Sequence, residues 1–171
     1  MKKVFFVLIV LLTGFSSFAQ NQNDRFVDRL RFGGNLGLSF GSVTYIDVSP
    51  MVGYQATDRW MLGLGASYIY YKFNSNTVGI PDQETTWWGG RHFQQFNITH
   101  QLFAWGEFEL LNGEVYDPFD QLYKRQWIEN LLVGGGYRSG PVMVTALYNV
   151  SYQSGNGFYN SPWVFRVGVF L

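Results

Sequence analysis

The sequence predicts an all-β chain, an eight-stranded antiparallel up-and-down transmembrane β-barrel, on three observations. Apolar residues alternate with small or polar ones at period two in segment after segment between Leu30 and Leu171. Short turns and longer loops alternate between those segments. The composition joins 20 Gly to 16 Phe, 11 Tyr and 6 Trp at a charged fraction of 14%, a mixture that suits strands better than helices.

The chain opens MKKVFFVLIVLLTGFSSFAQ, a basic head, an apolar run from Val4 to Leu12 and a small-residue exit ending at Ala19. This order reads as a signal peptide over residues 1–19. The apolar run is too short for a membrane-crossing helix, which needs about 20 residues. Its removal takes Lys2 and Lys3 and leaves 10 Lys and Arg against 12 Asp and Glu. A slightly acidic chain does not point to nucleic acid, and none is expected as a partner. With no cysteine, the chain offers no thiolate metal site, no disulfide and no cysteine nucleophile.

The first strand, Leu30 to Phe40, sets Leu30, Phe32, Leu36, Leu38 and Phe40 on one face and Arg31, Gly33, Asn35, Gly37 and Ser39 on the other. After a brief hairpin at Gly41-Ser42, the second runs from Thr44 to Tyr54, with Pro50 marking a bulge or a local defect in its ladder. A turn at Ala56 to Arg59 leads to the third strand, where Trp60, Leu62, Leu64, Ala66, Tyr68 and Tyr70 share a face. The polar stretch Asn74 to Thr85 reads as a loop. The fourth strand, about Trp87 to Phe96, alternates poorly and is placed chiefly because its neighbours need a partner.

A turn at Asn97 to His100 precedes the fifth strand, in which Leu102, Ala104, Gly106, Phe108 and Leu110 oppose Phe103, Trp105, Glu107 and Glu109. Asn112 to Arg125 reads as the longest loop. The sixth strand runs from about Trp127 to Tyr137, a turn at Arg138 to Pro141 follows, and the seventh alternates from Val142 to Val150. The Gly-, Asn- and Ser-rich stretch Ser151 to Pro162 is the last loop, and the chain closes WVFRVGVFL.

A sheet that crosses lipid must close, because an open edge leaves backbone groups without partners. Eight strands enclose just enough room for side chains to fill, so a wide pore is not expected, while a small-solute binding or transport barrel stands as the alternative. Greasy faces then point outward and Gly, Ser, Asn and charged residues point inward. An interior ionic network is expected from Arg31, Glu107, Glu109 and Arg166, since a lone buried charge is costly. Tyr54, Trp60, Tyr68, Tyr70 and Trp163 fit two interfacial aromatic girdles. The soluble alternative, a lipocalin-like barrel, calls for a more highly charged exterior.

The closing run, with Trp163, Phe165, Val167, Val169 and Leu171 in one phase, resembles the carboxy-terminal signal of outer-membrane barrels that the barrel assembly machinery reads. That signal usually ends in an aromatic residue, whereas here Phe170 is penultimate. From Leu30 to Leu171 the chain resembles the small eight-stranded outer-membrane β-barrel proteins of Bacteroidota-type bacteria. The resemblance implies a cleaved signal over residues 1–19, a short periplasmic segment over 20–29 and a barrel over 30–171. It further implies residence in the outer membrane among its lipids, as a monomer, in a structural or loop-mediated binding role.

No catalytic constellation accompanies that architecture. Barrel lipid-A deacylases are known for a His, a Ser two positions later and a Glu on the next strand, but His92 is followed at that spacing by Gln94 and His100 by Leu102. Glu114, Asp117 and Asp120 cluster without calcium-loop spacing and read as a solvated acidic loop. Gly63-x-Gly65 and the run Gly134 to Gly136 lie within strands and make room for aromatic neighbours, not for a dinucleotide. No cofactor or metal is expected. Recognition would fall to loop aromatics, Tyr116, Phe119, Tyr123, Phe158 and Tyr159, on a rigid scaffold, contacting an external ligand.

Overall fold

The computed structural model describes residues 26–39, 43–73, 83–117, 122–153, 158–159 and 161–171. A 3-10 turn at Phe26–Arg29 leads into β1 (Leu30–Ser39), followed by β2 (Val43–Gln55), β3 (Trp60–Phe73), β4 (Gln83–Asn97), β5 (Leu102–Asp117), β6 (Leu122–Ser139), β7 (Val142–Asn149) and β8 (Trp163–Phe170). Each strand pairs antiparallel with the next and β8 pairs with β1, so the sheet closes into an eight-stranded barrel.

The short connections lie at one end. At two of them a threonine ties the turn: Thr57 Oγ1 accepts from the amides of Arg59 and Trp60, and Thr99 Oγ1 from those of Gln101 and Leu102. At the third, Gly140 adopts φ of 59°, which L side chains rarely take. Both ends of the barrel sequence sit at this rim, where Phe32 and Leu171 exchange backbone hydrogen bonds of 3.3 and 2.8 Å.

The structure redraws two boundaries. Most of the expected long loop from Asn112 to Arg125 is strand: β5 and β6 continue through Glu114 opposite Arg125, Val115 opposite Lys124 and Tyr116 opposite Tyr123. Turn-forming residues there did not outweigh the cross-strand pairing. The other change is β4, which begins at Gln83 and so shortens the expected loop before it. Pro50 makes a local defect and no bulge: the β2–β3 register is the same before it, Val48 opposite Tyr68, and after it, Met51 opposite Gly65. The Gly41-Ser42 hairpin lies outside the described residues.

The interior is layered. Nearest the short turns, Met51, Met61, Phe93, Phe103, Trp105 and Phe170 are among the residues of an apolar plug, in which the Phe93 and Trp105 rings stack at 4.7 Å. Gly63 is what lets Phe93 in, because a Cβ there would strike the ring and the Val52 carbonyl. Toward the opposite end Ile69, Trp87, Leu111 and Val115 form a second cluster. Charged side chains lie between the two.

The outer face is largely apolar, interrupted on β4 by His92 and Gln94. Leu64, Phe108, Val133, Val144 and Phe165 are exposed on it. An aromatic row crosses it near each rim. Trp60 with Phe96 and Tyr137 lies toward the short turns, and Tyr68 with Trp88, Trp127, Tyr148 and Trp163 toward the other end. Trp88 packs edge-on to Trp127 at 5.0 Å, and Tyr148 to Trp163 at 5.2 Å.

Candidate functional site

Neighbouring strands and one returning loop build the charged layer. Phase within β5 points Glu107 and Glu109 inward, and the β4–β5 register sets Arg91 directly opposite Glu109. Across the lumen, Arg166 on β8 points at the same carboxylates. Its Nη1 lies 2.7 Å from Glu107 Oε1 and its Nη2 3.4 Å from Glu109 Oε1. Arg91 Nη2 lies 3.0 Å from Glu109 Oε1. Two cations thus face two anions with almost no solvent access, the condition under which buried charges are tolerable.

Further hydrogen bonds complete the layer. Tyr159 donates to Glu109 Oε2 at 2.7 Å and accepts from Arg166 at 2.6 Å. Trp105 Nε1 donates to Glu107 Oε2 at 3.0 Å. Arg91 also donates to Ser67 and to Ser49, and Ser49 donates to Asp47 at 2.6 Å. Strands β2, β3, β4, β5 and β8 are therefore joined through one polar network.

The structure brings together Glu107, Glu109 and Arg166 from the expected network but not Arg31. Arg31 is exposed at the short-turn rim, where it donates to the carbonyls of Asp28 and Leu30 at 3.1 and 3.0 Å. The reason is height. Arg31 lies four residues before Asn35 on β1, or about 13 Å along a strand, and the network sits above Asn35. Arg91 takes its place, a residue that sequence reasoning missed because the outward partners of its strand include Gly90, His92 and Gln94, which hide the alternation. The signal that finds it is the register: with Asn97 set opposite Phe103, counting back along both strands puts Arg91 opposite Glu109.

Sequence comparisons bring no precedent to this arrangement. No family model, no curated protein and no solved structure matches this chain.

The expected loop contacts divide. Tyr123 is exposed on the β5–β6 hairpin. Phe158 and Tyr159 are not outward contacts: Phe158 packs against Trp87 at 5.7 Å and Tyr159 enters the ionic layer. Each turns inward because the lumen offers a ring or a charge pair that solvent does not. The backbone of Tyr116 belongs to β5, while its side chain and all of Phe119 lie outside the described residues. Trp163, Phe165, Val167, Val169 and Leu171 all face outward, opposed by Val164, Arg166, Gly168 and Phe170.

Beside the charged layer lies a cavity of about 830 Å³, within the range typical of small-molecule sites. Asn35, Asp47, Thr85, Arg91 and Arg166 supply its polar wall, and Ile69, Trp87 and Phe158 its apolar one. Among the described residues no group of three or more His, Cys, Asp or Glu side chains is placed to hold a metal ion.

Proposed function

We propose that this protein is exported by a cleaved signal over residues 1–19, is inserted by the barrel assembly machinery, and resides in a bacterial outer membrane as a plugged monomeric barrel with a structural or binding role. The observation that carries this reading is the inversion of polarity. Apolar side chains predominate outside between two aromatic rows, with His92 and Gln94 of β4 as exceptions, while Arg91, Glu107, Glu109 and Arg166 lie inside. Lipid favours that distribution, since aromatic rings prefer the interface and charges on a lipid-facing surface are destabilising. A water-soluble barrel would favour the reverse.

The layered interior supports binding over conduction. Phe93, Leu132 and Leu147 in the plug have no solvent exposure, and a barrel of eight strands is filled by its own side chains. Tyr123, exposed on the protruding hairpin, offers a contact to an external partner. The test is gel mobility, boiled and unboiled, of the protein recovered from purified outer membranes. A heat-dependent shift in that fraction is the expected result. Recovery as a soluble periplasmic species without a shift would overturn the reading.

A further inference from the structure

Among the described residues the β1–β8 seam carries the shortest ladder of the barrel wall. Between β1 and β8 the register holds Gly33 opposite Phe170, Gly34 opposite Val169 and Asn35 opposite Gly168, and there the pairing ends. Beyond it β1 continues from Leu36 to Ser39 and β8 from Val167 back to Trp163, each still paired on its other side, to β2 and to β7. The backbone phase is set by the reciprocal bonds of Phe32 with Leu171 and by the bond from Phe170 N to the Pro141 carbonyl. Carried upward by twos, it aims the N–H and C=O groups of Leu36, Leu38, Phe165 and Val167 into the gap. In hydrocarbon such groups need partners.

Residues on both sides of this gap line the cavity. It is bordered by interior residues and also by Leu36, Phe165 and Val167, which face outward, with Leu36 69% and Phe165 72% exposed. The interior side holds polar atoms shut away from solvent with no hydrogen-bond partner among the described residues. They are Asn35 Oδ1, Thr85 Oγ1 and Arg91 Nη1, the last within ion-pair distance of Glu107 Oε1 at 3.7 Å, on residues of which Asn35 is 6% and Arg91 4% exposed.

Resting on the membrane reading above, we infer that the β1–β8 gap is a lateral way in from the bilayer for a single-chain amphiphile. Its uncharged, hydroxyl-bearing head occupies the cavity, and its chain lies outward along Leu36, Phe165 and Val167. Charge and hydrogen-bond capacity decide the head. Arg91 and Arg166 are already matched by Glu107 and Glu109. An anionic head therefore finds both of these cations already paired. An ammonium head donates to Asn35 Oδ1 but has no acceptor for the Thr85 hydroxyl or for Arg91 Nη1, which stands 3.7 Å from Glu107 Oε1 in an ion pair, whereas hydroxyl groups both donate and accept and suit Asn35, Thr85 and Arg91 together. Glycerol and sugar heads share that chemistry.

The test uses the full barrel in phosphatidylcholine nanodiscs. Native mass spectrometry measures retention of 1-monooleoylglycerol, an alkyl glucoside, oleate and oleylamine, and heat-dependent gel mobility reports folding separately. Retention of the monoacylglycerol or of the glucoside should exceed that of both charged amphiphiles by roughly tenfold, and the preferred one identifies glycerol or sugar as the source. Asn35→Leu, and independently Thr85→Val, should lower that retention by roughly tenfold, the usual scale of one buried hydrogen bond lost, with the heat shift intact. Equal retention of all four, or retention unchanged in the folded variants, would overturn the site while leaving the barrel standing. A wild-type protein with no heat shift would overturn the membrane reading and this one with it.

Discussion

Two seams of the same barrel differ sharply. Strands β5 and β6 pair continuously from Leu102 opposite Tyr137 to Asp117 opposite Leu122, beyond the rest of the wall. Between β8 and β1 the ladder stops at Asn35 opposite Gly168. What holds β8 in place above that point is its ladder to β7 and the reach of Arg166 across the lumen to Glu107 and Glu109 on β5. Backbone pairing secures one side of the molecule, and side-chain charge takes over part of that task on the other. The plugged interior and the lateral gap are therefore linked, since the network that fills the lumen also braces the open edge.

The largest effects should come from breaking what is fully paired. In β7 the amide of Val144 belongs to the ladder with Tyr137 of β6, so Val144→Pro should cost several kcal/mol in a lipid environment. Arg91→Met should cost about 3–5 kcal/mol, because Glu107 and Glu109 would share one cation. Arg91→Met/Glu109→Met should return most of that loss by leaving Arg166 with Glu107 as a balanced pair. Denaturant unfolding of the barrel in vesicles measures all three. A double variant as unstable as the single one would show that the charged layer acts through packing and not through charge balance.

That layer also shows where sequence reading reaches its limit. Glu107 and Glu109 were legible as interior residues because their strand has a clean apolar face in Leu102, Ala104, Phe108 and Leu110. Arg166 was legible for the same reason, between Phe165 and Val167. Strand order and closure followed from the same alternation. Arg91 was obscured by a strand whose outer face carries Gly90, His92 and Gln94, and Arg31 was misassigned because period two gives the face of a residue but not its height along the barrel axis. The inward turn of Phe158 and Tyr159 depends on contacts that no local pattern encodes. The gap between β1 and β8 was equally hidden, since both strands alternate well beyond the point where their pairing ends.

Charge placed on the outer face distinguishes lipid from water and one side of the barrel from the other. Leu64 lies midway between Trp60 and Tyr68 on β3, exposed and paired on both sides, to Val52 and to His92. Leu64→Arg should cost about 2–4 kcal/mol if that face meets hydrocarbon, and close to nothing if it meets water. Phe165→Arg should cost less than Leu64→Arg, because an arginine at the gap can turn its guanidinium into the polar cavity. Equal stability of the wild type and both variants would argue that the apolar belt does not lie in a membrane.

The smallest effect is expected at the gap itself. Val167 sits directly opposite Val144 in the β7–β8 register, faces outward as Val144 does, and is likewise a β-branched strand residue. The difference lies in the amide. Backbone phase directs the Val144 N–H to Tyr137 and the Val167 N–H toward β1, where no ladder partner stands among the described residues. Proline removes that one donor and tolerates an edge position. Val167→Pro should therefore lower stability by less than about 1 kcal/mol, against the several expected for Val144→Pro. Comparable losses at the two positions would mean that the wall between β8 and β1 is closed in the membrane and that no amphiphile passes there. A small loss at Val167 would make this edge the natural place to look for exchange with the bilayer.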